Sequence, residues 1–413
     1  MPRLIINLLS LVTKLIPATP PRPAPQLTCG ALPTPLLHLL GLVFLLSSAV
    51  GAEPLPPLVD VFVGGQDGFP TFRIPAVVRT AHGRLLAFAE ARASKHDHAQ
   101  NQLVQKISPD GGLTWGSLKV IAADGTNALN NPTAVVLRQS GRILVMYQRY
   151  AAAFDEGTVI PGYEGEGVCR SFVIHSDDEG LSWSSPLEVT RSVKHPTGAT
   201  SSASGPGLGL ELARGPHPGR ILIPFNQGPR GHWQVYAAYS DDGGNTWACG
   251  ETAPEPAYTG ANEVQMVELA DGRVFLNARN QAGSHQRRVA VSSDGARTWS
   301  PLADDAVLVE PRCQASLIRH AVSADPAMDL LLFSNPASAS RRTNGTVRLS
   351  RDEGRTWSAS RVIYPGSFAY SCLVSLDAKT IGCLFERDDY ARISFLRFPL
   401  DSLDTNAAVM PSR

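Results

Sequence analysis

The sequence predicts an all-β chain built as a β-propeller, on three observations. A turn motif, Ser-x-Asp-x-Gly-x-Thr-Trp, recurs along the chain. Between its copies, short apolar runs pair across tight polar turns, the pattern of β-hairpins. No long segment carries helical periodicity. Repeated hairpin units in a chain of 413 residues are what a ring of four-stranded sheets requires.

The motif stands at Ser108-Asp110-Gly112-Thr114-Trp115, then at Ser176-Asp178-Gly180-Ser182-Trp183 and Ser240-Asp242-Gly244-Thr246-Trp247. It returns at Ser350-Asp352-Gly354-Thr356-Trp357, and a copy at Ser292, Asp294, Thr298 and Trp299 carries Ala296 in place of glycine. Five of the six tryptophans sit in these boxes, spaced 68, 64, 52 and 58 residues apart, about the length of one four-stranded sheet with its loops. In such a turn Asp accepts backbone N–H bonds, Gly takes a conformation costly for other residues, and Trp packs beneath. The boxes therefore read as structural, and Ala296 puts the geometry of its own turn in question.

Taken in order, the chain opens on a different material. From Pro23 to Ala52 there is no Asp, Glu, Lys or Arg, and residues 36–46 are nearly all apolar. Basic residues upstream (Arg3, Lys14, Arg22) and small residues before Glu53 make residues 1–52 a secretory signal peptide. A signal anchor is the alternative, although the apolar run falls short of the roughly 20 residues a spanning helix needs. Either implies export to a periplasm, the exterior or a lysosome-like lumen. Residues 53–405 form the propeller and 406–413 a short tail. Strands are expected at 59–63 and 85–89, and hairpins at 134–137 with 142–146, 264–269 with 273–277, and 372–376 with 381–385. A last strand, 393–398, pairs with 59–63 to close the ring. The run 85–89 leads into a dense set of charges, Glu90 to Asp97, read as a loop where a buried strand meets solvent.

Composition narrows the function. The 37 basic and 37 acidic residues balance, and no Lys/Arg run offers a nucleic-acid surface. An anionic ligand must then be held by a few placed arginines. Cys29 lies in the leader, and Cys169, Cys249, Cys313, Cys372 and Cys383 are scattered and odd in number, so buried thiols are the plainer reading than bridges. No His/Cys spacing suggests a metal, even with His96 and His98 beside Asp97.

Phe72-Arg73-Ile74-Pro75, followed by residues 85–97 and then by the boxes, resembles the exo-α-sialidases, whose catalytic domain is a six-bladed propeller. The resemblance covers about residues 72–398. It implies removal of terminal sialic acid from glycoproteins, glycolipids or oligosaccharides, with retention, through a covalent tyrosyl-sugar intermediate and with no cofactor. Arg73 matches the first arginine of a triad that grips the sugar carboxylate, and Arg279 the second. Arg341 and Arg342 compete for the third place, with the spacing to Asn344-Gly345-Thr346 favouring Arg342. Tyr370 matches the nucleophile, Glu263 the base that takes its proton, and Asp97 the acid/base. Arg92 and Glu90 would shape the pocket rim, Glu386 would steady Arg73, and Gln314 would reach the sugar's polar tail. A propeller that binds sialylated glycans without turnover is the rival reading, and transfer to another sugar is a third.

Overall fold

A computed structural model describes residues 58–404 apart from residues 197, 256–259, 282, 324 and 326–327. The leader expected over 1–52 and the tail over 406–413 lie outside the described residues. The chain is all-β: among the described residues the α-helix is one four-residue turn, Thr190–Val193.

Consecutive strands pair as antiparallel meanders. The first sheet runs Thr71–Arg79, Leu85–Arg92, Asn101–Ser108, Lys119–Ala122. The next two are centred on Ile143–Tyr150 and on Ile221–Gln227 with Gln234–Ser240. Another runs Ala261–Glu268, Val274–Asn280, Gln286–Ser292, Ala303–Val309. A seven-stranded sheet follows, because the long strand Ala359–Ser375 pairs through its first half with Thr343–Ser350 and through its second with Thr380–Arg387. Its outer strand, Arg392–Pro399, takes Val59–Val63 as partner, with Val59 opposite Phe395 and Val63 opposite Arg392. The expected pairing of the first and last strands is thus present.

Both faces of these sheets are covered, so the strands read as near-continuous apolar runs. The two-residue period still sorts them. Val77, Leu85 and Ala87 pack toward Cys372, Leu384 and Phe395 of the last sheet, while Ala76, Val78, Leu86 and Phe88 pack toward Ala134, Ile143 and Val145 of the second. The second, third and fourth sheets pack on their successors in the same way, and within the seven-stranded sheet the strands before Ala359–Ser375 pack on those after it. Cys169, Cys249, Cys313, Cys372 and Cys383 are free thiols, four of them fully buried.

The boxes share one hydrogen-bond scheme. Ser108 Oγ donates to Asp110 Oδ1 at 2.8 Å and accepts the Gly112 N–H at 2.7 Å, and Asp110 accepts the Thr114 N–H at 2.9 Å. Ala296 does not disturb its copy. It adopts φ 68° and its N–H still reaches Ser292 Oγ at 2.9 Å, at a left-handed cost of roughly 1 kcal/mol. Gly112 has no such latitude, since a Cβ there would lie 2.1 Å from the Phe395 ring.

Candidate active site

Four strands change register where they reach one cleft. The shifts fall between Arg73 and Ala76, Asn130 and Thr133, Ala261 and Val264, and Phe368 and Ser371. A bulge inserts a residue and re-aims the side chains around it. Here it turns Arg73 with Ile74, Asn131, Glu263 and Tyr370 into a common cavity of about 180 Å³. The ends of the following strands add Arg92 and Arg279 to the lining and place Glu386 behind it.

Glu386 is fully buried and ties two parts of the site together. It accepts Arg73 Nε at 2.6 Å and Nη2 at 3.3 Å, and the backbone N–H groups of Ile74 at 2.8 Å and Tyr370 at 3.2 Å. Ile74 sits at φ 61°, an outlier for a β-branched residue. The carboxylate that holds its N–H over-determines that conformation. The expected role of Glu386 in steadying Arg73 therefore extends to the backbone of Tyr370.

Tyr370 donates its hydroxyl to Glu263 Oε1. Arg279 Nη1 donates to Glu263 Oε2 at 2.6 Å and to the Tyr370 oxygen at 3.1 Å. Burial, reinforced by the Glu263 charge, lifts the phenol well above its ordinary pKa. The resting hydroxyl is neutral and already bonded to the group that can take its proton. Arg279 Nε and Asn130 Oδ1 are buried without partners, on two residues that line the cavity.

Glu90 and Arg92 correct the loop reading. The strand continues to Arg92, three residues past the apolar run, and both side chains are buried as an ion pair rather than exposed at a rim. Two carboxylates make that burial tolerable: Arg92 Nε donates to Glu90 Oε2 at 2.7 Å and Nη1 to Asp97 Oδ1 at 2.6 Å. Asp97 itself is exposed on the loop beyond, with Arg73 Nη1 3.6 Å away and its carbonyl held by Asn101 and Asn130. The protein mass beside the carboxyl partly desolvates it and would raise it, but the charges of Arg92 and Arg73 outweigh this and hold the group below the usual carboxylate range.

Arg342, not Arg341, lines the cavity; Arg341 is exposed. Arg342 Nη1 donates to the Tyr390 hydroxyl at 3.2 Å and Nη2 to the Arg312 carbonyl at 2.9 Å. Four guanidinium groups (Arg73, Arg92, Arg279 and Arg342), a phenol on a carboxylate and a separate aspartate thus share one mouth.

The family model for the BNR repeat-like domain matches residues 83–383. The chain is similar to a sialidase of Micromonospora viridifaciens, 38% identical over 348 residues, which cover 81% of this chain and 53% of that one. It is also similar to an exo-alpha-sialidase of Arthroderma benhamiae, 30% identical over 360 residues, covering 81% and 82%. The chain belongs to the exo-α-sialidase family. Among solved structures, a Hadza microbial sialidase matches with a TM-score of 0.75 at 28% identity, over 82% of this chain and 68% of that one. The chain spans about half the length of the Micromonospora sialidase, 53%. The all-β ring of sheets agrees with the propeller-type fold of the sialidases.

Within this site one expected residue is elsewhere. Gln314 does not line the cavity. Its amide lies beneath, donating to the carbonyls of Pro206 at 3.2 Å and Ser371 at 3.1 Å and accepting the Ser371 N–H at 3.0 Å. A fully buried amide so engaged supports the strand of Tyr370 instead of meeting a ligand. Among the neighbours to which the sequence reading gives no role in the site, three stand out. Glu156 comes from an irregular segment with no strand pattern; burial, with the charges of Glu263 and Asp97, pushes its carboxyl up to about 7. His98 packs on Tyr150 with ring centroids 4.2 Å apart, and burial pushes it down to about 4. Tyr390 sits in the turn that follows the strand of Glu386, four residues on, a proximity that could have signalled it.

Proposed function

We propose that this chain is a retaining exo-α-sialidase that releases terminal sialic acid from glycoproteins, glycolipids and oligosaccharides through a tyrosyl-sugar intermediate. The observation that carries this reading is the phenol of Tyr370 bonded to Glu263 in a cavity shared with Arg73, Arg279 and Arg342. A glycan-binding protein would need the arginines but not a phenol bonded to a base.

Sialic acid bears a carboxylate on its anomeric carbon, and guanidinium forks meet such a group with paired hydrogen bonds. An anionic nucleophile would be repelled there; a neutral phenol is not, and sialidases are the recognised tyrosine exception among glycosidases. In the first step the Tyr370 oxygen bonds to the anomeric carbon, Glu263 takes the phenol proton, and the glycosidic C–O bond breaks. Asp97 gives its proton to the leaving oxygen. Water then attacks the anomeric carbon, Asp97 takes a proton from it, and the sugar leaves Tyr370 as Glu263 returns the phenol proton. Asp97 starts ionised under Arg92 and Arg73. A bound carboxylate draws on the Arg73 charge and excludes water, which raises Asp97 toward its acid form.

We read the seven-stranded sheet as two blades sharing Ala359–Ser375, which makes six blades with the other sheets. The composition of residues 1–52 supports export. Release of free sialic acid from a fluorogenic sialoside between pH 4 and 8 is expected. A folded protein that binds sialosides and releases none would establish the binding reading in its place.

A further inference from the structure

The hairpin joining Thr380–Arg387 to Arg392–Pro399 is built against local preference. Asp388, Asp389 and Tyr390 are consecutive left-handed residues, with φ of 53°, 51° and 70°. L-residues adopt that conformation at a cost, and as single residues when they do. The stem adds a second conflict, because Arg387 lies directly opposite Arg392, and like charges across a ladder repel.

Several contacts hold this turn in place. Asp60, from the first strand, takes Arg387 Nη2 at 2.6 Å and also pairs with Arg392. Asp388 accepts the Tyr364 hydroxyl at 2.8 Å, and the Asp389 N–H reaches Ser367 Oγ at 3.0 Å. Strain kept by so many contacts, at the edge of an active site, points from the outlier to a function.

What the turn delivers is Tyr390. Its ring lies under the Arg73 guanidinium, 4.2 Å from Cζ to centroid, and its hydroxyl accepts Arg342 Nη1 at 3.2 Å. The ring also packs against the cluster of Ile74, Cys313, Ala369 and Tyr370. It is not among the residues that line the cavity.

We propose that Tyr390 is a positioning residue that sets Arg73 and Arg342 relative to each other for the substrate carboxylate. Neighbouring guanidinium groups repel, and a second acid in the place of Tyr390 would hold them by spending the positive charge that the ligand needs. An aromatic face and a phenol oxygen hold both without neutralising either. Tyr390 thereby fixes the spacing of two forks that come from distant strands, and leaves the attraction to the anion intact. This inference rests on the sialidase reading of the site.

The test uses the full chain with Tyr390→Phe and Tyr390→Ala, a fluorogenic sialoside, and binding of a 2,3-unsaturated sialic acid and its methyl ester. In Tyr390→Ala, KM is expected to rise at least ~10-fold with kcat within ~3-fold, and the preference for the free acid over the ester is expected to shrink by a similar factor. Tyr390→Phe, which keeps the shape, loses only the Arg342 bond and is expected to show a ~3-fold rise in KM. Unchanged KM, or equal losses for acid and ester, overturns the proposal. If Tyr390→Ala does not fold, an unchanged KM in Tyr390→Phe overturns it alone. A wild-type protein that does not turn over the sialoside overturns the sialidase reading and this inference with it, whereas wild-type turnover with unaltered variants overturns only the role of Tyr390.

Discussion

Replacing Glu386 by Gln probes how one buried acid organises the site. The wild-type carboxylate receives four N–H donors, two from Arg73 and one each from the Ile74 and Tyr370 backbones. An amide of the same shape offers one acceptor oxygen and turns an NH2 group toward the remaining donors. Removing one partner of a buried ion pair costs about 3–5 kcal/mol, which for a folded unit of this size lowers Tm by roughly 5 °C. The backbone of Tyr370 loses an anchor, so kcat is expected to fall about 10-fold or more. Arg73 loses its buried counter-ion and keeps only the exposed Asp97, 3.6 Å away, so an anionic ligand can now satisfy more of its charge. The 2,3-unsaturated sialic acid should therefore raise the Tm of the variant more than that of the wild type. Melting curves with and without this ligand, and steady-state kinetics, read all three effects. A variant that melts within 2 °C or so of wild type, or one whose KM rises while kcat holds, would refute the reasoning.

Arg342→Ala should raise KM about 100-fold, the loss of a charge-assisted pair, while Arg341→Ala should change it less than about 2-fold. Kinetics of the two variants side by side decide between them. The Glu156 carboxyl is raised by burial and neighbouring negative charge to about 7. It is protonated below that pH and ionises as pH rises through it, adding a carboxylate beside Asp97 and Glu263 in a pocket that takes an anion. Hence kcat/KM should fall above about pH 7, and Glu156→Gln should remove that limb of the profile; a limb that persists in the variant would show that another group produces it. The sign for stability is the same. A carboxyl raised in the folded state makes folding bind a proton, so stability declines between the ordinary value of 4.5 and about 7.

Much of the architecture was legible because it repeats. Five boxes announce their turns through Asp and Trp at fixed offsets, and even Ala296 follows the scheme. Apolar runs marked the hairpins, though the strands continue beyond them. Where Leu85–Arg92 runs on toward the site it carries Glu90 and Arg92, and where Ala359–Ser375 does so apolar and polar residues mix around Tyr370, so no apolar run marks either end. The site itself was legible through a motif and not through periodicity, since bulges at Ile74, Asn131, Glu263 and Tyr370 break the alternation that would say where a side chain points. Arg92 reads as a rim residue in the sequence because its burial depends on Glu90 beside it in the strand and on Asp97 reaching back from the loop. Gln314 was assigned to the ligand since an isolated amide in sequence carries no sign of the carbonyls that claim it. Glu156 and Tyr390 depend on an irregular segment and a left-handed turn, which local propensity does not foresee.

The central claim is that Tyr370 attacks the sugar with Glu263 as its base. Incubation with a 2,3-difluorinated sialic acid, which slows the second step, followed by digestion and peptide mass spectrometry, tests it directly. The account predicts one fluorosialyl group attached to Tyr370, absent in Tyr370→Phe and formed far more slowly in Glu263→Gln. An adduct on Asp97 or on any other residue, or normal turnover by Tyr370→Phe, would contradict it.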